Sequence, residues 1–211
     1  MAKKSLVLLG GGGHCKSCID VIESTDQWQI AGVLEKENAL NNAVLDYPIL
    51  GDDTLIDTYV EEGFFFLITV GQIKSSDIRS RLYQSLQDKE AKLATIISPR
   101  AIVSRHAQIG KGTIVHHSSF INASSRIGEN CIINSSANIE HDTVVGNNTH
   151  VSTGVILNGN VVVGNNCFIG SGTIISNGVI ISDDVIVGAG SLVLNNIESP
   201  GTYVGVPAKK I

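Results

Sequence analysis

A histidine stands between two carboxylates at Glu140, His141 and Asp142, in a stretch made otherwise of small, aliphatic and amide side chains. An imidazole can accept a proton at neutral pH, and a neighbouring carboxylate can hold its tautomer and increase its basicity. The triplet therefore predicts a general base at His141; a solvent-exposed polar corner is the alternative. The adjacent His116 and His117 are expected to be outward residues of a solvated or subunit-contact patch.

The residues around this triplet repeat with a period of six. From Ile97 to Val193 every sixth residue is Ile, Val or Leu, and the residue two positions before each of them is Ala, Ser, Thr, Cys or Val. Neither an α-helix nor a simple alternating strand has this period. The pattern is typical of a parallel β-solenoid in which each hexapeptide forms one face and three faces form a coil.

The solenoid places a bare backbone beside the histidine. Residues eighteen positions apart lie in adjacent coils, about 4.8 Å from one another. His141 follows the inward Ile139 by two positions and so faces outward, with Ala123 and Gly159 as its neighbours in the adjacent coils. A backbone N–H near Gly159 is therefore expected where it could act as an oxyanion-hole donor.

The segment before the repeats has a different pattern. Three strands and two helices are predicted there: strands at Ser5–Leu9, Gln29–Leu34 and Phe64–Val70, and helices at Cys15–Ser24 and Asp77–Gln87. A strand, a glycine loop, a helix and a second strand indicate a small Rossmann-like α/β unit.

The glycine loop GGGGH at residues 10–14 has two interpretations. A glycine-rich turn at a helix N-terminus can bind phosphate through backbone N–H groups. The loop matches neither the dinucleotide fingerprint nor a P-loop, however, so a tight strand-to-helix turn is the alternative. His14 would face whatever the loop binds.

Composition and charge exclude several classes of protein. The chain is 43% hydrophobic with a net charge of −5, which argues for a real core and against a nucleic-acid binder. The apolar run Leu6–Leu9 is too short for a signal peptide or a membrane span. Without a secretory signal, the four cysteines are expected to be reduced thiols in a cytoplasmic protein.

Five segments carry a resemblance to a known family: GGGGH, IEHDTVVG, NNTHVSTG, NGNVVVGNNCFIGSG and VGVPAKKI. Together they resemble the sugar acyltransferases that include sialic acid O-acetyltransferases and the N-acetyltransferases of UDP-4-amino-sugars and GDP-perosamine. The resemblance implies an α/β N-terminal Rossmann-like domain at residues 1–92, which binds a nucleotide sugar. It also implies a left-handed parallel β-helix at residues 93–211, which trimerises and binds acetyl-CoA between subunits. Only the resemblance implies the handedness, because the usual rule for parallel crossovers favours the right-handed form.

The resemblance also implies roles for individual residues. His141 matches the general base and Asp142 its acidic partner, which is glutamate in some relatives. Four positions match acetyl-CoA contacts: His150, Gly159, Ser171 and Ala189. Six positions match the sugar-nucleotide site: Gly12, Gly13, His14, Glu35, Lys36 and Gly71. Glu35 and Lys36 stand where relatives often have two aspartates, and no metal is expected.

The leading interpretation is acetyl transfer from acetyl-CoA to the 4-amino group of a UDP-linked, bacillosamine-like amino-deoxy sugar, for bacterial surface glycan or glycoprotein biosynthesis. The amine attacks the thioester directly, with His141 as base. One alternative is O-acetylation of sialic acid or a related sugar hydroxyl. A γ-type carbonic anhydrase is another, but it needs three histidines around zinc, and the familiar close pair on one face is missing. A non-catalytic solenoid is the remaining alternative.

Overall fold

The computed structural model describes residues 2–36 and 43–211, which form two compact units. The first contains the chain up to Gly71 and the segment Asp77–Ile96. The second contains Gln72–Ser76 and Ile97–Ile211. Among the described residues, no helix is both long enough and apolar enough to cross a membrane.

The first unit is a mostly parallel sheet with helices. Its strands are β1 (Lys4–Leu9), β2 (Trp28–Leu34), β3 (Ala43–Val44), β4 (Tyr47–Gly51), β5 (Phe65–Ile68) and β6 (Lys92–Leu93). Its α-helices are α1 (Gly13–Glu23), α2 (Ile56–Glu61) and α3 (Asp77–Asp88), and a 3₁₀ turn covers Asp53–Leu55.

The order of the strands fixes where this sheet can bind a ligand. The order is β3-β4-β2-β1-β5-β6, and β1 pairs in parallel with both β2 and β5. The chain therefore leaves β1 toward one side of the sheet and later returns to its other side. In open α/β sheets this reversal leaves a crevice at the carboxyl ends of the strands, here at the end of β1. Residues Leu6–Leu9 of β1 are fully buried, as expected for a central parallel strand.

The second unit is a parallel β-helix with three faces, and its core confirms the six-residue repeat from Val103 to Val193. The first predicted inward residue, Ile97, is instead 39% exposed, because no earlier coil covers it. Face 1 contains β7 (Ile96–Ile97), β10 (Ile114–Val115), β13 (Ile132–Ile133), β16 (His150–Val151), β19 (Phe168–Ile169) and β22 (Val185–Val187). Face 2 contains β8 (Ile102–Val103), β11 (Phe120–Ile121), β14 (Asn138–Ile139), β17 (Ile156–Leu157), β20 (Ile174–Ile175) and β23 (Leu192–Val193). Face 3 contains β9 (Gln108–Ile109), β12 (Arg126–Ile127), β15 (Val144–Val145), β18 (Val162–Val163) and β21 (Ile180–Ile181). Two further strands extend face 1, β24 (Gly201–Val204) parallel to β22 and β25 (Lys209–Lys210) antiparallel to β24.

The corners of the β-helix have a backbone conformation that also repeats every six residues. The left-handed positions with φ between +53° and +70° are Gly112, Ser118, Ser124, Asn130, Ser136, Asp142, Asn148, Gly154, Asn160, Asn166, Gly172, Gly178, Asp184 and Gly190. All are Gly, Ser, Asn or Asp. Glycine adopts this conformation freely, and Asn and Asp enter it more readily than other side chains do. The turn requirement thus explains why small polar residues recur at one position of the repeat.

Candidate active site

His141 lies at the corner between face 2 and face 3, which we call the 2–3 corner. Its Nδ1 lies 2.8 Å from Oδ2 of Asp142, and both side chains are more than half exposed. Asp142 is the left-handed residue of this corner, with φ of 60°. Because a carboxylate only accepts hydrogen bonds, the contact places the imidazole proton on Nδ1 and leaves the lone pair on Nε2.

The free edge of the imidazole lies over Gly159, one coil further along. A Cβ placed on Gly159 would lie 2.8 Å from both Cε1 and Nε2 of His141. The stacking is also seen in the backbone, where Asn160 N–H donates to the carbonyl of His141 at 3.0 Å. The structure thus confirms the predicted stacking of Gly159 on His141 and shows that any side chain at 159 would press on the ring.

Gly159 is buried in the single chain, and its backbone N–H differs from that of the equivalent residue one coil before His141. One coil before His141, the N–H of Ala123 donates to Asn122 Oδ1 at 2.7 Å. In the coil of Gly159, the corresponding amide is turned away, because Asn158 Nδ2 donates to the carbonyl of Ile175 at 2.8 Å. Within residues 2–36 and 43–211, no group accepts from the Gly159 N–H. The corner therefore has a nitrogen lone pair, at His141 Nε2, and a backbone N–H without an acceptor in adjacent coils.

The two carboxylates of the acid–histidine–acid triplet have different hydrogen-bond partners. Glu140 accepts a hydrogen bond at Oε2 from Asn122 Nδ2 at 2.7 Å, one coil earlier. Asp142 is therefore the carboxylate that holds the imidazole, while Glu140 is held by Asn122. Of the two acidic neighbours that the sequence offers, the structure pairs His141 with the one that follows it.

Ser171 and Ala189 lie at a different corner, between face 1 and face 2, which we call the 1–2 corner. They stack on each other, since Gly190 N–H donates to the carbonyl of Ser171 at 2.8 Å. Ser171 Oγ also lies 2.9 Å from Ser152 Oγ. The full width of face 2 separates the 1–2 corner from the 2–3 corner. Within one chain, these two expected acetyl-CoA contacts are thus not brought to His141.

His150 lies on the outward side of face 1 and is only 6% exposed. Its Nδ1 donates to the backbone carbonyl of Gln72 at 2.7 Å, and its ring packs edge-on against Phe168. Gln72 is itself buried, and its Nε2 donates to the carbonyls of Asn148 and Cys167. The sequence analysis did not identify Gln72, because this residue lies before the repeats and the six-residue pattern gives no information about residues outside them. His150 as an acetyl-CoA contact stays a prediction.

The expectation that His116 faces solvent or another subunit is wrong in one respect. His116 is only 2% exposed, whereas His117 is half-buried with Nδ1 2.6 Å from Ser98 Oγ. The outward side of face 1 is also buried at Ile114 and Ile132. At these positions of face 1, a side chain that points outward from the β-helix is nevertheless buried. The six-residue pattern does not show this.

In the first unit, the residues expected to bind the sugar nucleotide gather at the carboxyl ends of three neighbouring strands. Gly12 and Gly13 begin α1 after β1, and a Cβ on either would meet nothing within 4 Å. A Cβ on Gly71, after β5, would lie 3.4 Å from Cβ of His14. This is the crevice where open α/β sheets bind ligands.

Glu35 and Lys36 follow β2 at the same edge. The Glu35 carboxylate accepts from the backbone N–H of Gly11 and, at 2.9 Å, from the N–H of Lys36. One N–H of the glycine loop is therefore already bound by an internal anion. Gly12 and Gly13 remain exposed, and Lys36 is an exposed cation at the same edge.

The cysteines are not placed for nucleophilic catalysis. Cys15, Cys18, Cys131 and Cys167 are all free and fully buried. Burial raises the pKa of the Cys15 thiol to about 11, and that of Cys167 to about 11 as well. Both thiols are protonated at neutral pH, and a protonated thiol is a poor nucleophile.

Comparison with known proteins gives two family matches and several relatives. Residues 5–86 match the PglD N-terminal domain, and residues 160–195 match the bacterial transferase hexapeptide family of six repeats. A UDP-N-acetylbacillosamine N-acetyltransferase of Bacillus subtilis (strain 168) is 32% identical over 123 residues. That alignment covers 53% of this chain and 51% of the relative, so the chain matches about half the length of this curated protein.

Two solved structures match over nearly their whole length. PerB from Caulobacter crescentus, in complex with CoA and GDP-perosamine, has a TM-score of 0.91 at 33% identity, covering 100% of this chain and 98% of that one. The acetyltransferase domain of PglB from Neisseria gonorrhoeae FA1090 has a TM-score of 0.91 at 26% identity, covering 99% and 100%. These likenesses confirm the predicted fold class, a Rossmann-like α/β domain followed by a left-handed parallel β-helix.

Proposed function

The chain belongs to the sugar N-acetyltransferases that join a PglD-type N-terminal domain to hexapeptide repeats, and from this premise we propose that it acetylates the amine of a nucleotide-linked amino sugar with acetyl-CoA. Two of the relatives named above, the UDP-N-acetylbacillosamine N-acetyltransferase and PerB with its bound GDP-perosamine, support the N-acetyl assignment over O-acetylation. The acceptor we propose is the 4-amino group of a UDP-linked amino-deoxy sugar of the bacillosamine type.

The arrangement of His141 over Gly159 is the observation that carries this proposal. His141 Nε2 lies 2.8 Å from the position of a Cβ on Gly159, and the Gly159 N–H has no acceptor among the described residues. Acyl transfer to an amine needs both functions, a base for the amine proton and a donor for the carbonyl oxygen. Few outward histidines of a solenoid would have such a partner by chance.

The reaction follows from these groups. The amine nitrogen attacks the thioester carbonyl carbon while His141 Nε2 takes a proton from the amine, and Asp142 stabilises the resulting imidazolium. The carbonyl oxygen becomes an oxyanion and accepts from the Gly159 N–H. The carbon–sulfur bond then breaks, and the proton passes from the imidazolium to the thiolate. The products are the N-acetyl sugar and CoA with a free thiol.

A second copy of the chain completes the acetyl-CoA site in this proposal. Ser171 and Ala189 occupy the 1–2 corner, whereas His141 and Gly159 occupy the 2–3 corner, so the two sets lie at opposite edges of face 2 in a single β-helix. We propose that the 1–2 corner of one subunit meets the 2–3 corner of another in a homotrimer. Closed cyclic symmetry of this kind is usual for homo-oligomers.

Face 2 is the surface we propose for this contact. Its outward residues are Ile102, Phe120, Asn138, Ile156, Ile174 and Leu192. Ile102 is 66% exposed and Ile174 is 41% exposed in the single chain. Five of these six outward positions are apolar and at least partly exposed, which supports an interaction site, and the face lies between the two corners that meet in the proposed trimer.

The sugar nucleotide is proposed to bind the first unit at the carboxyl end of β1. The open backbone at Gly12 and Gly13 can donate to phosphate oxygens, and α1 directs the positive end of its dipole there. Reduced, buried cysteines and the use of acetyl-CoA support a cytoplasmic location.

The proposal is tested by incubating the protein with acetyl-CoA and a panel of sugar nucleotides, followed by mass spectrometry. The panel pairs each 4-amino sugar with its 4-hydroxy counterpart on the same nucleotide. We expect one acetyl group to be added to a 4-amino sugar and none to its counterpart. Acetylation of the hydroxyl sugar would replace the N-acetyl assignment by O-acetylation, and no transfer to any acceptor would refute the function.

A further inference from the structure

The corner that holds His141 contains a further polar side chain, Asn177, that the mechanism above does not use. Asn177 is eighteen residues after Gly159 and stacks on it, since Gly178 N–H donates to the carbonyl of Gly159 at 3.0 Å. A Cβ on Gly159 would lie 3.4 Å from Asn177 Nδ2. The same point lies 2.8 Å from Nε2 of His141. The imidazole and the carboxamide therefore flank the bare backbone of Gly159 from opposite sides.

Unlike Asn122 and Asn158 at the same corner, Asn177 has its side-chain amide free to bind a ligand. Asn122 is held by Glu140 and by the N–H of Ala123, and Asn158 is held by the carbonyl of Ile175. In the described part of the chain, the side chain of Asn177 hydrogen-bonds to no residue. It is also exposed.

Acyl transfer at this corner needs a donor that the groups assigned so far do not supply. Oxyanion holes hold the developing charge with two or more donors, as a rule, and each contributes strongly. Gly159 offers one N–H. His141 cannot serve as the second donor during attack, because its Nε2 is then accepting the amine proton.

We propose that Asn177 is the second oxyanion donor, with its Nδ2–H group binding the thioester carbonyl oxygen beside the N–H of Gly159. This inference rests on the proposed function and extends it to one further residue that contacts the reacting atoms. The gap above Gly159 then has the base on one side and two donors on the other. No bond is made or broken at Asn177; its contribution is stabilisation of the charge on oxygen.

Two variants distinguish a donor from an acceptor at this position. Asn177→Ala removes the amide, and Asn177→Asp keeps its shape while replacing the NH₂ group by a carboxylate oxygen. A donor role predicts that kcat falls about 10²-fold in Asn177→Ala. It predicts at least the same loss in Asn177→Asp, because a carboxylate repels an oxyanion. The KM values for acetyl-CoA and for the sugar nucleotide should change little.

Asn195→Ala is the matched control, because Asn195 is an exposed asparagine eighteen residues after Asn177 and thus one coil further from His141. We expect it to retain wild-type kcat, and all three variants to melt at the wild-type temperature. Wild-type kcat in Asn177→Ala, full activity in Asn177→Asp, or an equal loss in Asn195→Ala would each overturn the assignment. A rise in KM for the sugar nucleotide at unchanged kcat would also overturn it, since Asn177 would then contact the acceptor.

The same assay separates this inference from the function on which it rests. Wild-type protein that transfers no acetyl group would refute the proposed function and the role of Asn177 together. An active wild type with an active Asn177→Ala variant would refute the role of Asn177 alone.

Discussion

Nε2 of His141 lies 2.8 Å from the point where a side chain on Gly159 would begin, although the two residues are eighteen positions apart in the sequence. The glycine has no positive φ, so its backbone does not require glycine for conformational reasons. What requires glycine is the ring above it and the space beside the ring. Glycine at position 159 is therefore needed for the space beside His141 and not for the backbone conformation.

Substitution of Gly159 should thus abolish acetyl transfer without unfolding the protein. In Gly159→Val the side chain would displace the imidazole and fill the space above the N–H, while the inward Leu157 and Val161 are untouched. We expect a loss in kcat of at least about 10²-fold, by analogy with loss of an oxyanion donor. A melting curve and a turnover assay on one preparation check this, with Asn195→Val as the control at the same corner. A folded and active Gly159→Val enzyme would show that the acetyl group binds elsewhere.

Removal of the base should affect turnover and leave acyl-donor binding nearly unchanged. His141→Ala is expected to lower kcat by about 10²- to 10⁴-fold, the usual contribution of a positioned general base. Asp142→Asn keeps the left-handed corner, because Asn adopts it as readily as Asp does, and should cost less than His141→Ala. Steady-state kinetics and acetyl-CoA titration measure both effects. Wild-type turnover in His141→Ala would mean that positioning alone accounts for catalysis.

Introduction of a charged side chain on face 2 should weaken both trimerisation and acetyl-CoA binding. The protein is expected to be a trimer by light scattering at micromolar concentration. Ile174→Glu places three like charges in the proposed interface and should give monomers with weakened affinity for acetyl-CoA. Arg126→Glu is a matched control, because it changes an exposed residue on face 3. A monomeric wild type, or an Ile174→Glu trimer that binds normally, would contradict the proposed interface.

The glycine loop should serve the acceptor and not the acyl donor. His14→Ala is expected to raise KM for the sugar nucleotide more than KM for acetyl-CoA, because His14 lies with Gly71 at the carboxyl end of the sheet in the first unit. Lys16→Ala, an exposed change on the same helix, serves as the control. Initial-rate kinetics with each substrate varied in turn provide the measurement. The opposite pattern of KM changes would show that the two substrate sites have been exchanged.

The β-helix could be predicted from the sequence because the six-residue repeat determines which residues form its faces and corners. An inward residue at every sixth position fixes the faces, the corners and the stacking of Gly159 on His141. The first unit was less predictable. The antiparallel pair β3 and β4 was missed, because Pro48 lies within β4 and argues against a strand away from a sheet edge.

Parts of the site depend on information that a periodic pattern does not contain. Asn177 could have been found by extending the count from Gly159 by one coil, since the same arithmetic leads to it. The repeat alone does not show which of Glu140 and Asp142 holds the imidazole, because the choice depends on Asn122 competing for Glu140; only the family resemblance assigned Asp142. The burial of His150 depends on Gln72, which lies far away in the sequence and outside the repeats.

The corner at Asp142 has an evolutionary consequence. Folding admits few side chains at a left-handed position, and the proposed mechanism uses a carboxylate there, so aspartate meets both requirements. Replacement of Asp142 by asparagine or glycine would not impair folding, so selection for folding alone would not remove it. Proteins descended from this gene could therefore keep a stable β-helix while their catalytic activity is reduced. The left-handed residue at position 142 would still show their common origin.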